Sequence, residues 1–253
     1  MNVLEDTVLI YRRQMRQVLR NPVWVLVGLV QPALYLALFG PLLIRLAGAP
    51  GFPSGSAWQI YTPGLLVQLC IFAAAFVGFA LIAEFRAGVL ERMRVTPVSR
   101  AAPLLGRLLR DVTVTTVQTV VLIATAFLLG LRAPFDGLAI GYGFVVATVI
   151  TIASLSYALA LLTKSEDAFA QVVNLVTVVL LLLSGILLPM TLAPHWLNDV
   201  SALTPLRYVV QAMRDAFAGR LDNAAVLGAA ALAGVMAVAS VAFGTFVFAR
   251  ENA

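Results

Sequence analysis

The chain has 253 residues, of which 61% are hydrophobic and 11% charged; soluble globular domains carry roughly a quarter charged residues, so this much apolar surface excludes an ordinary water-soluble fold. The net charge of +5 does not point to nucleic acid, because the basic residues fall between apolar stretches, where they suit anionic lipid headgroups and the excess of Lys and Arg on cytoplasmic loops. A single cysteine, Cys70, lies inside an apolar run and excludes an intrachain disulfide or a cysteine metal site.

At the start, Leu4, Val8, Tyr11, Met15 and Val18 recur at steps of three or four, with Arg12, Arg13, Arg16 and Arg20 on the remaining surface. This spacing predicts an amphipathic helix lying on the inner leaflet. Asn21-Pro22 then breaks it, since a residue before proline is biased away from helical geometry. The apolar run over 23–44 exceeds the roughly 7 to 15 residues of a signal-peptide core. It is read as a retained first span, despite the cleavage-like Ala47-Gly48-Ala49.

Five more runs follow, at 62–83, 112–130, 138–163, 168–188 and 225–248, each near the ~20 residues that cross a bilayer as helix. They show no alternation of period two, so the expected fold class is an all-α membrane protein with six transmembrane helices and no separate soluble domain. With the N-terminus cytoplasmic, the inside connections hold Arg12, Arg13, Arg16, Arg20, Arg86, Arg92, Arg94, Arg100, Arg107, Arg110, Lys164 and Arg250. The outside ones hold Arg45, Arg132, Arg207, Arg214 and Arg220. This bias puts both termini in the cytoplasm.

Between the second and third spans, residues 84–110 form a charged cytoplasmic loop. Phe85, Val89 and Met93 make one helical stripe, Glu84 and Glu91 share another face, and Thr96-Pro97 interrupts the helix before Ser99 and Pro103 open a second one. The loop either enforces topology by its charge or takes part in function.

Within the spans, every Asp, Glu, Lys and Arg can be placed at a span end or in a connection, which removes the usual basis for proton or sodium coupling. The larger polar groups left inside are Gln31, Gln68, Gln118, Gln171 and Asn174. Such amides either tie helices together or meet substrate. Together with Phe72, Phe76, Phe79 and Tyr157 they suit an amphipathic or lipid-like molecule. A phosphate-binding loop needs Gly-Lys-Ser or Gly-Lys-Thr, whereas the one lysine, Lys164, follows Thr163. ATP-driven work would therefore need a second chain.

The outer connection, 189–223, contains Thr204-Pro205, then Leu206, Val209, Met213 and Phe217 at helical spacing, then Gly219 as a stop. A helix at the outer face is expected there. His195 and Asp199, four apart, are the best pair for an intramembrane transferase, but no nucleophile or second acidic cluster accompanies them. No catalytic residue and no metal site is assigned. In the last span Gly228, Gly234 and Gly244 permit close helix contact.

The wording of several stretches then narrows the class. Glu84, Arg86, Gly88, Leu90, Glu91, Arg92, Thr96-Pro97-Val98-Ser99-Arg100 and Gly106 resemble the cytoplasmic loop of type-2 ABC exporter permeases of the daunorubicin or multidrug type. Arg20-Asn21-Pro22, Gln31-Pro32 and Phe39-Gly40 resemble that family's entry into its first span. Ser184-Gly185-Ile186, Pro189, Pro194, Trp196-Leu197, Pro205-Leu206, Tyr208 and Met213-Arg214 resemble its last-loop signature. The resemblance implies a transmembrane domain over 1–253 and a coupling helix, carried by Glu84, Arg86, Gly88, Glu91, Arg92, Thr96, Pro97 and Arg100, that docks on a separate ATPase subunit present in two copies.

It further implies that ATP and Mg sit on that partner, with none bound by this chain, and that a second permease, read as identical, completes the pathway in a bacterial inner membrane. Substrate-path candidates are Gln68, Phe72, Phe76, Gln171 and Asn174. Pro189, Trp196, Tyr208 and Met213 are candidates for an outer gate formed by short re-entrant helices. The expected cargo is a hydrophobic or amphipathic drug, antibiotic or lipid moved outward. A polysaccharide or teichoic acid is the alternative within the same fold, and a channel-like or purely structural membrane protein the alternative outside it.

Overall fold

A computed structural model of the chain describes residues 3–21, 23–46, 56–88, 101–186, 190, 193–221 and 224–251. Among them the regular elements are helices: α1 (Val3–Arg20), α2 (Val23–Leu46), α3 (Ala57–Ala75), α4 (Gly78–Arg86), α5 (Ala102–Leu128), α6 (Phe135–Thr163), α7 (Glu166–Leu183), α8 (His195–Ala202), α9 (Pro205–Phe217) and α10 (Ala224–Glu251).

Five helical stretches are long and apolar enough to cross a membrane: Ala57–Arg86, which joins α3 and α4 through a slight break at Phe76, Ala102–Leu128, Phe135–Thr163, Glu166–Leu183 and Ala224–Arg250. The expected first span falls on α2, a helix of 24 residues that is apolar over Leu26–Leu38 and is not among the five. The third span, expected from residue 112, is continuous with the loop helix expected to open at Ser99 and Pro103, a single helix running from Ala102 to Leu128. Pro103 lies in that helix's first turn, where a missing N–H costs nothing.

Helix α6 is the hub, touching α3, α4, α5, α7, α9 and α10. Small residues admit its neighbours. A Cβ on Gly137 would run into the Ala216 carbonyl of α9, and one on Gly141 would meet the Phe217 ring. The core fills with Leu65, Leu69, Val145, Val149, Tyr157, Phe169 and Phe217. Between α6 and α7 the chain turns in two residues, with Lys164 in the left-handed region (φ 50°). Glu166 and Asp167 then occupy the first turn of α7, where carboxylates favour the positive end of the helix dipole.

The N-terminal helix exists as expected, but the face it packs against the bundle is Thr7, Ile10 and Gln14, set against α5. Leu4 and Val8 of the expected apolar stripe remain exposed. The outer helix α9 also follows the sequence: Thr204 precedes Pro205 at its first position, and Gly219 (φ 78°) follows its end.

Candidate functional site

The short turn between α6 and α7 and the Arg86–Glu166 ion pair (3.0 Å, exposed) place residues 84–88, 101–107 and 163–166 at one end of the bundle. The start of α3 and residues 130–135, 184–186 and 193–220 lie at the other, as the hydrogen bond from Gln59 Nε2 to the Arg132 carbonyl (2.6 Å) indicates. Each end carries a buried polar arrangement.

At the loop end, Glu84 closes the last turn of α4 and Arg107 sits in the second turn of α5. Their side chains form an ion pair, Arg107 Nη2 donating to Glu84 Oε2, and Gln14 Nε2 of α1 donates to Glu84 Oε1 (3.2 Å). One turn further along α5, Arg110 Nη2 meets Asp111 Oδ1 (2.8 Å) and donates to the Tyr157 hydroxyl (2.8 Å), while that hydroxyl donates to Asp111 Oδ2 (2.6 Å). The Arg107 guanidinium also stands 5.9 Å from the Tyr157 ring centre.

Gln14, Glu84, Arg107, Arg110, Asp111 and Tyr157 thus form a cluster binding α1, α4, α5 and α6. Two carboxylates offset two guanidiniums. This balance matters because Arg107 is 1% exposed and Asp111 5%, and an isolated buried ion is far more costly than a paired one. Even so, Arg107 Nε and Nη1 and Arg110 Nε find no partner among the described residues.

Of the expected coupling residues, Glu84 belongs to the cluster, Arg86 pairs with Glu166, and Gly88 (φ 68°) turns the chain out of α4. Lys164 Nζ lies 5.4 Å from the Phe85 ring centre, a further tie between the loop's start and the turn before α7. Glu91, Arg92, Thr96, Pro97 and Arg100 lie outside the described residues, as do Val89, Met93 and the expected cap at Ser99.

Sequence reasoning missed Gln14, Arg107, Arg110, Asp111 and Tyr157 as one group. It put the two arginines and Asp111 in a connection, whereas the structure holds all three inside α5. The available signal was the spacing 107, 110, 111, which places them on adjoining positions of one helical face.

At the other end, Arg214 of α9 is buried and has carbonyl partners on two other elements. Its Nε donates to Ile60 O in the first turn of α3 (2.9 Å), and its Nη2 donates to Gly185 O just past the end of α7 (2.7 Å). A helix's last carbonyls lack intrahelical donors, so a cation there answers both the dipole and the unpaired oxygens. Burial pushes the Arg214 guanidinium down to about 10, opposed by the charge of Asp215. It remains a cation at neutral pH. Asp215 itself pairs with Arg220 (2.7 Å).

The expected gate residues are not brought together. Met213 is buried, Tyr208 is exposed with its hydroxyl on the Ala202 carbonyl (2.9 Å), Trp196 is exposed on α8, and Pro189 lies outside the described residues. No hydrogen bond or ion pair joins His195 to Asp199, both exposed on α8.

The path candidates divide in two. Gln68, Phe72 and Phe76 are four apart on α3 and its end; Gln68 is buried with Oε1 unpartnered, and the rings continue as a ladder. Phe72 stacks on Phe76 (6.3 Å), Phe76 on Phe79 (6.2 Å), and Phe79 meets Phe169 edge-on (4.8 Å). Gln171 and Asn174 are exposed on α7 and take no part in that ladder.

Comparison with known proteins covers both ends. A family profile described as ABC-2 type transporter matches residues 5–218, a range that includes the loop-end cluster and Arg214. The chain is 27% identical over 213 residues to a putative transport permease, ycf38, of Cyanophora paradoxa, covering 83% of this chain and 73% of that one. It is 29% identical over 214 residues to a probable doxorubicin resistance ABC transporter permease protein, DrrC, of Mycobacterium tuberculosis (83% and 75% covered). A daunorubicin resistance ABC transporter permease protein, DrrB1, of Streptomyces coeruleorubidus is 27% identical over 204 residues (78% and 70%).

Proposed function

The chain belongs to the ABC-2 type transporter family, and from that premise we propose that it is the membrane-spanning permease of an exporter driven by a separate ATPase. The ATPase, in two copies, holds ATP and Mg and docks on the loop after α4. Two copies of the present chain form the pathway, each with α2 as a sixth span and both termini in the cytoplasm of a bacterial cell.

The observation that carries this reading is the Glu84–Arg107 ion pair, which ties the two ends of the loop together and reaches α1 through Gln14 and α6 through the Arg107–Tyr157 ring contact. A displacement of the loop is thereby passed to the hub helix as a rigid shift, because packed elements move as bodies and do not deform continuously. Substrate is a hydrophobic or amphipathic drug, antibiotic or lipid. Support for this comes from the ring ladder Phe72–Phe76–Phe79 and from relatives named for doxorubicin and daunorubicin resistance.

The test is a charge exchange in the loop, Glu91→Arg with Arg92→Glu, in the permease reconstituted with its ATPase. Substrate should no longer stimulate ATP hydrolysis, and transport should fall at least about tenfold, roughly 1.4 kcal/mol of lost coupling. Unchanged stimulation and transport would remove the loop from the mechanism.

A further inference from the structure

Helix α1 has three faces, and one of them meets the protein. At 3.6 residues per turn, Thr7, Ile10 and Gln14 form the buried face on α5. Leu4, Val8 and Leu19 fall on a second face, which is apolar and exposed. Arg12, Arg13, Arg16 and Arg20 follow on the third, along an open surface groove that they line with Leu9 and Gln17. No salt bridge among the described residues engages any of the four.

Beyond Asn21, Val23, Leu26, Val27 and Val30 of α2 are likewise exposed, in a helix rich in apolar residues over 24 positions. Acyl chains are the medium that relieves such a surface. They set α1 at the level of the headgroups, with Arg12 and Arg16 on the edge of the third face nearest Val8 and Leu19.

We infer that the arginine face of α1 is a binding site for an anionic phospholipid, Arg12 and Arg16 holding its phosphate while its chains run beside Val8 into the acyl layer that covers Leu4 and Leu19. A soluble phosphate or an acidic protein surface would match the charge of this arrangement but leave the adjoining apolar face bare. A lipid matches both. Guanidinium forks suit phosphate oxygens and form charge-assisted hydrogen bonds with them. The inference depends on α1 lying at a membrane and not on the reading of the loop, and it is measured without nucleotide or transport substrate, so the two can fail separately.

The experiment incubates the purified permease with phosphatidylglycerol and phosphatidylcholine and measures retained lipid by native mass spectrometry. Preferential retention of phosphatidylglycerol is expected. Arg12→Gln with Arg16→Gln should lower that retention about 25-fold, roughly fivefold per arginine at an anionic surface. Arg12→Lys with Arg16→Lys should restore most of it, which separates a lost charge from a lost fold.

Three results would each overturn the inference. They are equal retention of both lipids by the unaltered chain, displacement of the lipid by excess inorganic phosphate, and unchanged lipid retention in the glutamine variant accompanied by loss of ATPase co-purification.

Discussion

Arg107 has almost no access to solvent and depends on Glu84 for its counter-charge, so the two residues are expected to behave as a unit under mutation. Glu84→Ala strands a buried guanidinium and should destabilise the folded permease by about 3 kcal/mol, whereas Glu84→Ala with Arg107→Met should recover most of that loss. Thermal unfolding in detergent, followed for both single variants and the double variant, measures the difference; a double-variant loss equal to the sum of the two single losses would show the pair to be independent.

Arg214 supports a second expectation. Arg214→Met leaves the Gly185 carbonyl without this buried donor, and a thiol introduced as Met213→Cys, on a side chain that is fully buried, should then react faster with a maleimide than it does beside intact Arg214. The guanidinium's proton affinity is lowered by burial to about 10. A base so depressed gains stability only as pH rises through that value, so this anchor should hold unchanged between about pH 6 and pH 9.

At this scale the sequence was least legible. Met213-Arg214 could be matched to a family signature, but nothing in their neighbourhood revealed that the arginine reaches carbonyls 28 and 29 residues or 154 residues away. Contacts between distant segments leave no local periodicity.

Among the helices, α1 and α5 meet where α5 has no side chain. A Cβ on Gly106 would lie 2.7 Å from Ile10 Cγ2 and 2.9 Å from the Thr7 carbonyl. Replacing a helical glycine ordinarily stabilises by roughly 1 kcal/mol; here Gly106→Leu should instead push α1 away and raise amide hydrogen exchange along 7–14, with the rest of the bundle little changed.

The elements themselves were readable because apolar runs of span length and proline or glycine punctuation act locally. Thr204-Pro205 and Gly219 bracketed α9 correctly. The face by which α1 docks on the bundle was not, because two of its three buried residues, Thr7 and Gln14, are polar, while the stripe expected on the membrane stays exposed at Leu4 and Val8. Gln14 is buried to serve Glu84. The opening of α5 at Pro103 was legible as well, although charges set in the body of that helix made the span itself look shorter.

For the molecule as a whole, α7 and α10 stand out as membrane-length helices with little of their surface covered, 17% and 22% of their most apolar windows being buried. On α7 the exposed surface includes Gln171 and Asn174. Amides facing hydrocarbon are unfavourable, and in membranes such groups bond across helices. The second copy proposed above would answer that cost if it covered this face. Asn174→Cys should therefore give a disulfide-linked or reagent-linked dimer in native membranes, against a blank supplied by the unaltered chain, whose Cys70 is buried. Absence of any cross-linked product at 174 would move the seam elsewhere.

The Glu84–Arg107 pair joins residues 23 positions apart, so the chain between them is a closed ring and not a pair of loose ends. Force applied anywhere on such a ring cannot splay its two roots. Under the proposed docking of an ATPase, a sideways pull on this segment would reach both roots at once and tilt α4 and α5 together.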